Sequence, residues 1–274
     1  MTMQTASPTP TQHDARYWPW FEPPTLASRL IVALDVDGEA AARPLIEALA
    51  PLGVTLKVGM QLFYNSGFSV VHAIEALGGH VFLDLKIHDI PNTAAQATAA
   101  VVRQGATFLN VHAGGGKAMM QAAMTAAINT AAESGAPKDG NNVYRPLVLG
   151  VTVLTSMDDP TWQHTMGTQN TANTGALHLA KLAHQAGLGG VVCSAQEAPA
   201  IRATCGPDFV LVTPGIRLPD ADTHDQSRIV TPQQALQDGA TYLVVGRPIT
   251  QAANPAAAAQ RYLSAMAEVL GEHA

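Results

Sequence analysis

Three charged side chains crowd into the stretch FLDLKIHDIPNT, residues 82–93: Asp84, Lys86 and Asp89. Only 13% of the 274 residues are charged, so a cluster of this density asks for a purpose. A carboxylate beside an ammonium group holds a lysine charged and oriented even where desolvation would neutralise it, which suits a positioned proton donor. Two further charges stand in comparable places, Asp35 in RLIVALD and Lys57 in VTLKVG. Brought together, the four form an alternating array of two carboxylates and two ammonium groups. For Asp84 and Lys86 alone, a buried ion pair that only fixes packing is the plain alternative.

A second group suits an anion. In YLVVGRPIT, Gly246 lets a ligand approach the backbone and Arg247 follows it, as in a phosphate site at the end of a barrel strand. A turn glycine and a surface arginine would look the same, and TPGIR, with Pro214 and Arg217, tilts the balance toward phosphate. His88 beside Asp89, with His112 further on, could suggest a metal, but a strand-end histidine is more often hydrogen-bonded than ligating. No metal is expected. Ser156, Ser194, Cys193 and His112 form no nucleophile motif, since GxSxG is missing and nothing marks a thiol of lowered pKa.

These groups need a scaffold that gathers them. From Arg29 onward, β-rich apolar runs alternate with Ala-rich, helix-period segments. The runs are RLIVALD (29–35), VTLKVG (54–59), HVFLDLK (80–86), TFLNVH (107–112), LVLGVTV (147–153), GGVVCS (189–194), FVLVTPG (209–215) and TYLVVG (241–246). Repeated βα units predict an α/β fold, a (β/α)8 TIM barrel forming a single domain over 26–274. An open doubly wound sheet alternates in the same way, but the first βα turn, DVDGEA, lacks GxGxxG.

Strand parity places Asp84 and Lys86 on one face and Leu83, Leu85 and Ile87 on the other. Pro91 and Pro232 suit the first turns of helices, and Asn254 suits the N-cap of the last one. The C-terminal strand ends are the working face of such a barrel. There the sequence sets Asp35, Lys57, Asp84 with Lys86, His112, Thr152, Ser194, Pro214 and Gly246 with Arg247. The connections after the fifth and seventh runs are long enough to act as lids.

Composition narrows the partners. A formal charge of −6 without basic runs argues against nucleic acid. Two cysteines, Cys193 and Cys205, build neither a disulfide framework nor a structural zinc site, which fits a reducing cytoplasm. No apolar stretch approaches the roughly 20 residues of a membrane span, and the first residues lack the blocks of a signal peptide. Residues 1–25 are Pro- and Thr-rich and read as a flexible tail.

DLKIHDIPNT, with LDV before it and TPGIR and VVGRPIT after it, closely resembles the orotidine 5′-phosphate decarboxylase family of the short bacterial type, from about Arg29 to Leu263. The DxKxxD core belongs to a wider barrel superfamily, whereas HDIPNT, TPGIR and GRPI occur together in this one. The resemblance implies a homodimeric (β/α)8 barrel that converts orotidine 5′-monophosphate to uridine 5′-monophosphate and CO2 without a cofactor. It implies Lys86 as the acid that protonates C6, Asp84 beside the substrate carboxylate, Lys57 between Asp84 and the ribose, and Asp35 on ribose hydroxyls. Asp89 and Thr93 would reach the partner subunit's site. Thr155 and Ser156 match the pyrimidine-facing loop, Pro214 the wall around the base, and Gln226, Gly246 and Arg247 the phosphate grip, with Arg217 nearby. The segments Thr155 to Gly175 and Arg217 to Arg228 would close over the nucleotide.

Two other functions compete. A magnesium-dependent sugar-phosphate decarboxylase or aldolase of the same superfamily carries a metal-binding glutamate where this chain has Lys57, and a protonated lysine cannot ligate. A non-catalytic nucleotide-phosphate binder would not need the full set Asp35, Lys57, Asp84, Lys86 and Asp89.

Overall fold

The computed structural model describes residues 25–133, 146–219 and 230–271, together with the backbone of 138–139 and 142–143. The tail expected over 1–25 lies almost wholly outside the described residues, as do Gln226 and most of 217–228.

Every one of the eight runs contains a strand. They are β1 (Leu30–Ala33), β2 (Thr55–Gly59), β3 (His80–Ile87), β4 (Phe108–His112), β5 (Leu147–Val151), β6 (Gly190–Val192), β7 (Val210–Thr213) and β8 (Tyr242–Val245). All neighbours are parallel, and β1 pairs with both β2 and β8, so the sheet closes into a barrel. Closure rules out the doubly wound alternative. Lys138–Asp139 and Asn142–Val143 add a short antiparallel pair before β5.

The helices follow in βα order: α1 (Glu39–Leu49), α2 (Met60–Ser66), α3 (Ser69–Glu75), α4 (Pro91–Val102), α5 (Gly116–Glu133), α6 (Asp159–Met166), α7 (Ala172–Gln185), α8 (Ala198–Cys205), α9 (Pro232–Gln237), α10 (Arg247–Thr250) and α11 (Pro255–Leu270). Pro91 and Pro232 open α4 and α9, where a missing N–H costs nothing. The Asn254 side chain accepts from Ala257 N at 3.0 Å and caps α11.

Strand alternation divides the apolar residues into two cores. Outward side chains such as Leu30, Val32, Leu83 and Val245 pack under the helices. Inward ones, among them Ile31, Phe82, Phe108, Val212 and Tyr242, fill the barrel axis. Phe82 meets Phe108 and Phe108 meets Tyr242 edge to face, at 6.0 and 5.1 Å between centroids. This plug floors whatever sits above it at the C-terminal mouth.

The connection after β5 departs from expectation. It reads as an irregular lid, yet α6 and the start of α7 occupy most of 159–175. Asp158 and Thr171 cap these helices by accepting from Thr161 N and Thr174 N. Trp162, buried, lies against Gly175, where a Cβ would collide with the indole. Only residues 152–157 lie between β5 and the first of these caps, and Met157 N donates to Leu154 O across their turn.

Candidate active site

Four strand-end charges converge at the mouth of the barrel. Lys57 Nζ lies 3.3 Å from Asp35 Oδ1 and 3.1 Å from Asp84 Oδ2. Lys86 Nζ lies 2.7 Å from Asp84 Oδ1. The chain Asp35–Lys57–Asp84–Lys86 thus alternates in sign, as the sequence leads one to expect. Asp84 and Lys57 are its buried centre, with 12% and 11% of their side chains exposed, while Asp35 at 57% and Lys86 at 30% open to the cleft.

The array sets its own protonation. Burial alone would strip the Lys57 charge, but Asp84 and Asp35 outweigh it and hold its pKa above the ordinary lysine value. Burial likewise opposes the Asp84 carboxylate, and Lys57 and Lys86 overcome it, leaving the carboxyl below the ordinary aspartate value. Both central groups are therefore fixed as ions across neutral pH.

Parity alone does not explain how Lys86 reaches Asp84. Lys86 has φ +51°, the left-handed region, and it is the sole non-glycine residue with positive φ among the described residues. The β3–β4 register also shifts between Leu83 and Ile87. A β-bulge of this kind re-aims a side chain, at a cost of about 1–2 kcal/mol for a residue with a Cβ. The neighbouring strand compensates. Asn110, 1% exposed in the middle of β4, accepts from Lys86 N with Oδ1 at 2.8 Å and donates from Nδ2 to Asp84 Oδ1 at 2.7 Å.

The array lines one side of a cleft of about 280 Å³. Thr155, Pro214, Arg217, Gly246 and Arg247 line it as well, so the groups expected to meet base and phosphate share one cavity with the charges. Arg217 is buried, and the connection that it opens is pinned at its neck: Arg217 N donates to Val230 O at 3.0 Å, and Leu218 N to Tyr262 Oη at 3.4 Å. Gly59, at the C-terminal end of β2, packs against the array, where a Cβ would stand 3.1 Å from Asp35 Oδ1 and 3.2 Å from Lys57 Nζ.

Other expected site residues lie outside this cleft. Ser156 is exposed and is not part of its wall. Asp89 and Thr93 are exposed beyond the end of β3, and the Asp89 carboxylate accepts from Ile90 N at 2.7 Å. Gln226 falls among the residues not described. His88 and His112 stack at 5.1 Å, and His112 Nδ1 accepts from Gly114 N. Burial, then His88 and Lys86, push His112 below the ordinary histidine pKa. Among the described residues, no three His, Cys, Asp or Glu side chains gather to hold a metal ion. Cys193 faces the cleft, but burial and Glu197 push its thiol pKa up, which makes it a poor nucleophile.

Asn110 and Gly59 escape a reading that looks for charges. The signal for Asn110 is a polar amide inside FLNVH, two residues after the inward Phe108 and so on the same face. An uncompensated amide there would be expensive.

A closed parallel barrel with convergent charged and phosphate-type groups at its C-terminal mouth defines a (β/α)8-barrel enzyme. The sequence model described as "Orotidine 5′-phosphate decarboxylase / HUMPS family" matches residues 28–262, and the chain belongs to this family. It is 47% identical to the orotidine 5′-phosphate decarboxylase of Moorella thermoacetica over 232 residues, 85% of this chain and 89% of that protein. It is 46% identical to that of Heliobacterium modesticaldum, covering 88% and 97%. The crystal structure of orotidine 5′-phosphate decarboxylase from Lactobacillus acidophilus superposes with a TM-score of 0.74 at 39% identity, covering 86% of this chain and 98% of that one.

Proposed function

We propose that this chain decarboxylates orotidine 5′-monophosphate to uridine 5′-monophosphate and CO2, a step of pyrimidine synthesis, with no cofactor. The observation that carries this reading is the alternating array Asp35–Lys57–Asp84–Lys86 in the cleft that also holds Arg247. The C6–carboxylate bond breaks, CO2 leaves, and the electron pair remains at C6, where the ring cannot delocalise it. Lys86 Nζ stabilises that charge and then gives C6 a proton, to be replenished from solvent. Fixed charges aimed at a developing carbanion are the largest catalytic term available to such a site. Asp84 holds Lys86 Nζ in place at 2.7 Å and lies beside the departing carboxylate, Lys57 ties Asp84 toward the ribose, and Asp35 takes ribose hydroxyls.

Arg247 and Gly246, with Arg217 and Gln226, grip the phosphate, while Thr155, Ser156 and Pro214 surround the base. Binding energy from the distant phosphate can then be used in the chemical step. Closure of the turn after β5 and of 217–228 would exclude water from the nucleotide. The working unit in this reading is a homodimer in which Asp89 and Thr93 complete the neighbouring subunit's site. Their position supports it, since both are exposed past the end of β3 and neither lines its own subunit's cleft. Met60, Tyr64 and Ile90, exposed large apolar residues just after β2 and β3, offer an apolar surface for that contact. The cytoplasm is the compartment we assign, consistent with two free, buried cysteines and with no helix among the described residues long and apolar enough to cross a membrane.

Lys57 speaks against the magnesium-dependent alternative. Its ammonium stands between Asp35 and Asp84 and is held charged there, so it cannot donate to a cation. The test is the loss of orotidine 5′-monophosphate absorbance with purified protein and excess chelator. Turnover is the expected result. Dependence on added magnesium would favour the sugar-phosphate class, and binding without turnover the non-catalytic one.

A further inference from the structure

We infer that Asn110 is a positioning residue of the reaction: its one amide holds both the Asp84 carboxylate and the left-handed backbone that aims Lys86. The inference rests on the decarboxylase reading of the site. Asp84 Oδ1 accepts from Lys86 Nζ and Asn110 Nδ2, each at 2.7 Å, while its Oδ2 faces Lys57 Nζ at 3.1 Å. The carboxylate is thereby clamped from three sides, and Asn110 is the neutral member. A cation there would compete with Lys86 for Asp84, and an apolar side chain would leave a lone pair empty.

The other end of the same amide acts on the backbone. The bulge between Leu83 and Ile87 interrupts the β3–β4 ladder, and Asn110 Oδ1 takes the Lys86 N–H at 2.8 Å. Turning the amide over would set oxygen against carboxylate and NH2 against N–H, so its orientation is fixed by both partners at once. Asn110 is buried at 1% exposure and does not line the cleft. It acts through Asp84 and Lys86 and not by touching substrate. Strain of the kind seen at Lys86 persists only where the surroundings enforce it, and this amide is the side chain seen to enforce it.

The experiment compares Asn110→Asp and Asn110→Ala with the wild type, measuring kcat and KM for orotidine 5′-monophosphate and the affinity for uridine 5′-monophosphate. At pH 8, kcat falls by about 10- to 100-fold in both, the effect of a misaimed reacting group. Product affinity changes by less than about threefold, because the phosphate grip is elsewhere. A protonated aspartic acid matches the asparagine atom for atom, donating O–H to Asp84 and accepting from Lys86 N. Relative to wild type at each pH, Asn110→Asp therefore regains activity as the pH falls toward about 5, helped by burial and by Asp84, both of which raise its pKa. Asn110→Ala gains nothing.

Wild-type kcat in the variants would overturn the inference, as would parallel losses of kcat and product affinity, or an Asn110→Asp deficit that ignores pH. If Asn110→Ala does not fold, the isosteric Asn110→Asp carries the test by itself. Lack of turnover by the wild type would instead refute the decarboxylase reading, so the two failures are distinguishable.

Discussion

Lys57 Nζ stands 3.1 Å from Asp84 Oδ2 at the buried centre of the barrel mouth, each charge holding the other ionised against the cost of burial. Breaking a buried pair by removing one partner leaves an uncompensated ion and costs about 3–5 kcal/mol. Asp84 keeps Lys86 and Asn110, so Lys57→Met should sit at the low end, about 3 kcal/mol. Urea denaturation with an unchanged m-value checks this, and a loss below about 0.5 kcal/mol would show that the pair is not coupled to folding.

The same pair gives a pH signature with a definite sign. Asp84 titrates lower in the folded protein, so its contribution is present above its unfolded pKa near 4 and is lost as pH falls through the lower folded value. Lys57 titrates higher when folded, so its contribution is complete below its unfolded pKa near 10.4 and is lost as pH rises through the folded value. The stability difference between wild type and Lys57→Met should stay level from about pH 5 to 10 and shrink outside that window. Denaturation curves across pH measure it directly.

Gly59 leaves room for the array. Its backbone, φ −85° and ψ 178°, accepts any residue, but a Cβ would press on Asp35 Oδ1 and Lys57 Nζ. Gly59→Ala should lower kcat by about tenfold while changing stability by no more than about 1 kcal/mol. Steady-state kinetics beside a thermal melt separates the two effects, and unchanged kcat would show that the charges have room to move.

Much of this site is legible in the sequence, because a helix-covered parallel strand is an unbroken apolar run and any charge at its end stands out. Asp35, Lys57, Asp84 and Lys86 are found that way, and Gly246 with Arg247 by their position after the last strand. The left-handed turn at Lys86 leaves no such mark, since a bulge depends on how two strands pair. Asn110 hides because it carries no charge. The segment 159–175 misleads because its caps, Asp158 and Thr171, sit among many other polar residues that look alike in a loop.

Arg247 should serve phosphate alone. Arg247→Ala is expected to weaken uridine 5′-monophosphate by about 10- to 100-fold, the worth of a charge-assisted contact, and to leave uridine binding unchanged. Calorimetry with both ligands decides, and equal losses for both would place the arginine elsewhere on the nucleotide.

Lys86→Ala shows whether the Lys86 ammonium held on Asp84 delivers the proton to C6. Wild type and variant are compared for turnover of orotidine 5′-monophosphate in chelator and for affinity toward uridine 5′-monophosphate. Turnover is expected to fall by at least about 10⁴-fold, beyond the general-acid contribution alone because the carbanion also loses its counter-charge, with product affinity largely kept. Turnover within about tenfold of wild type would contradict it.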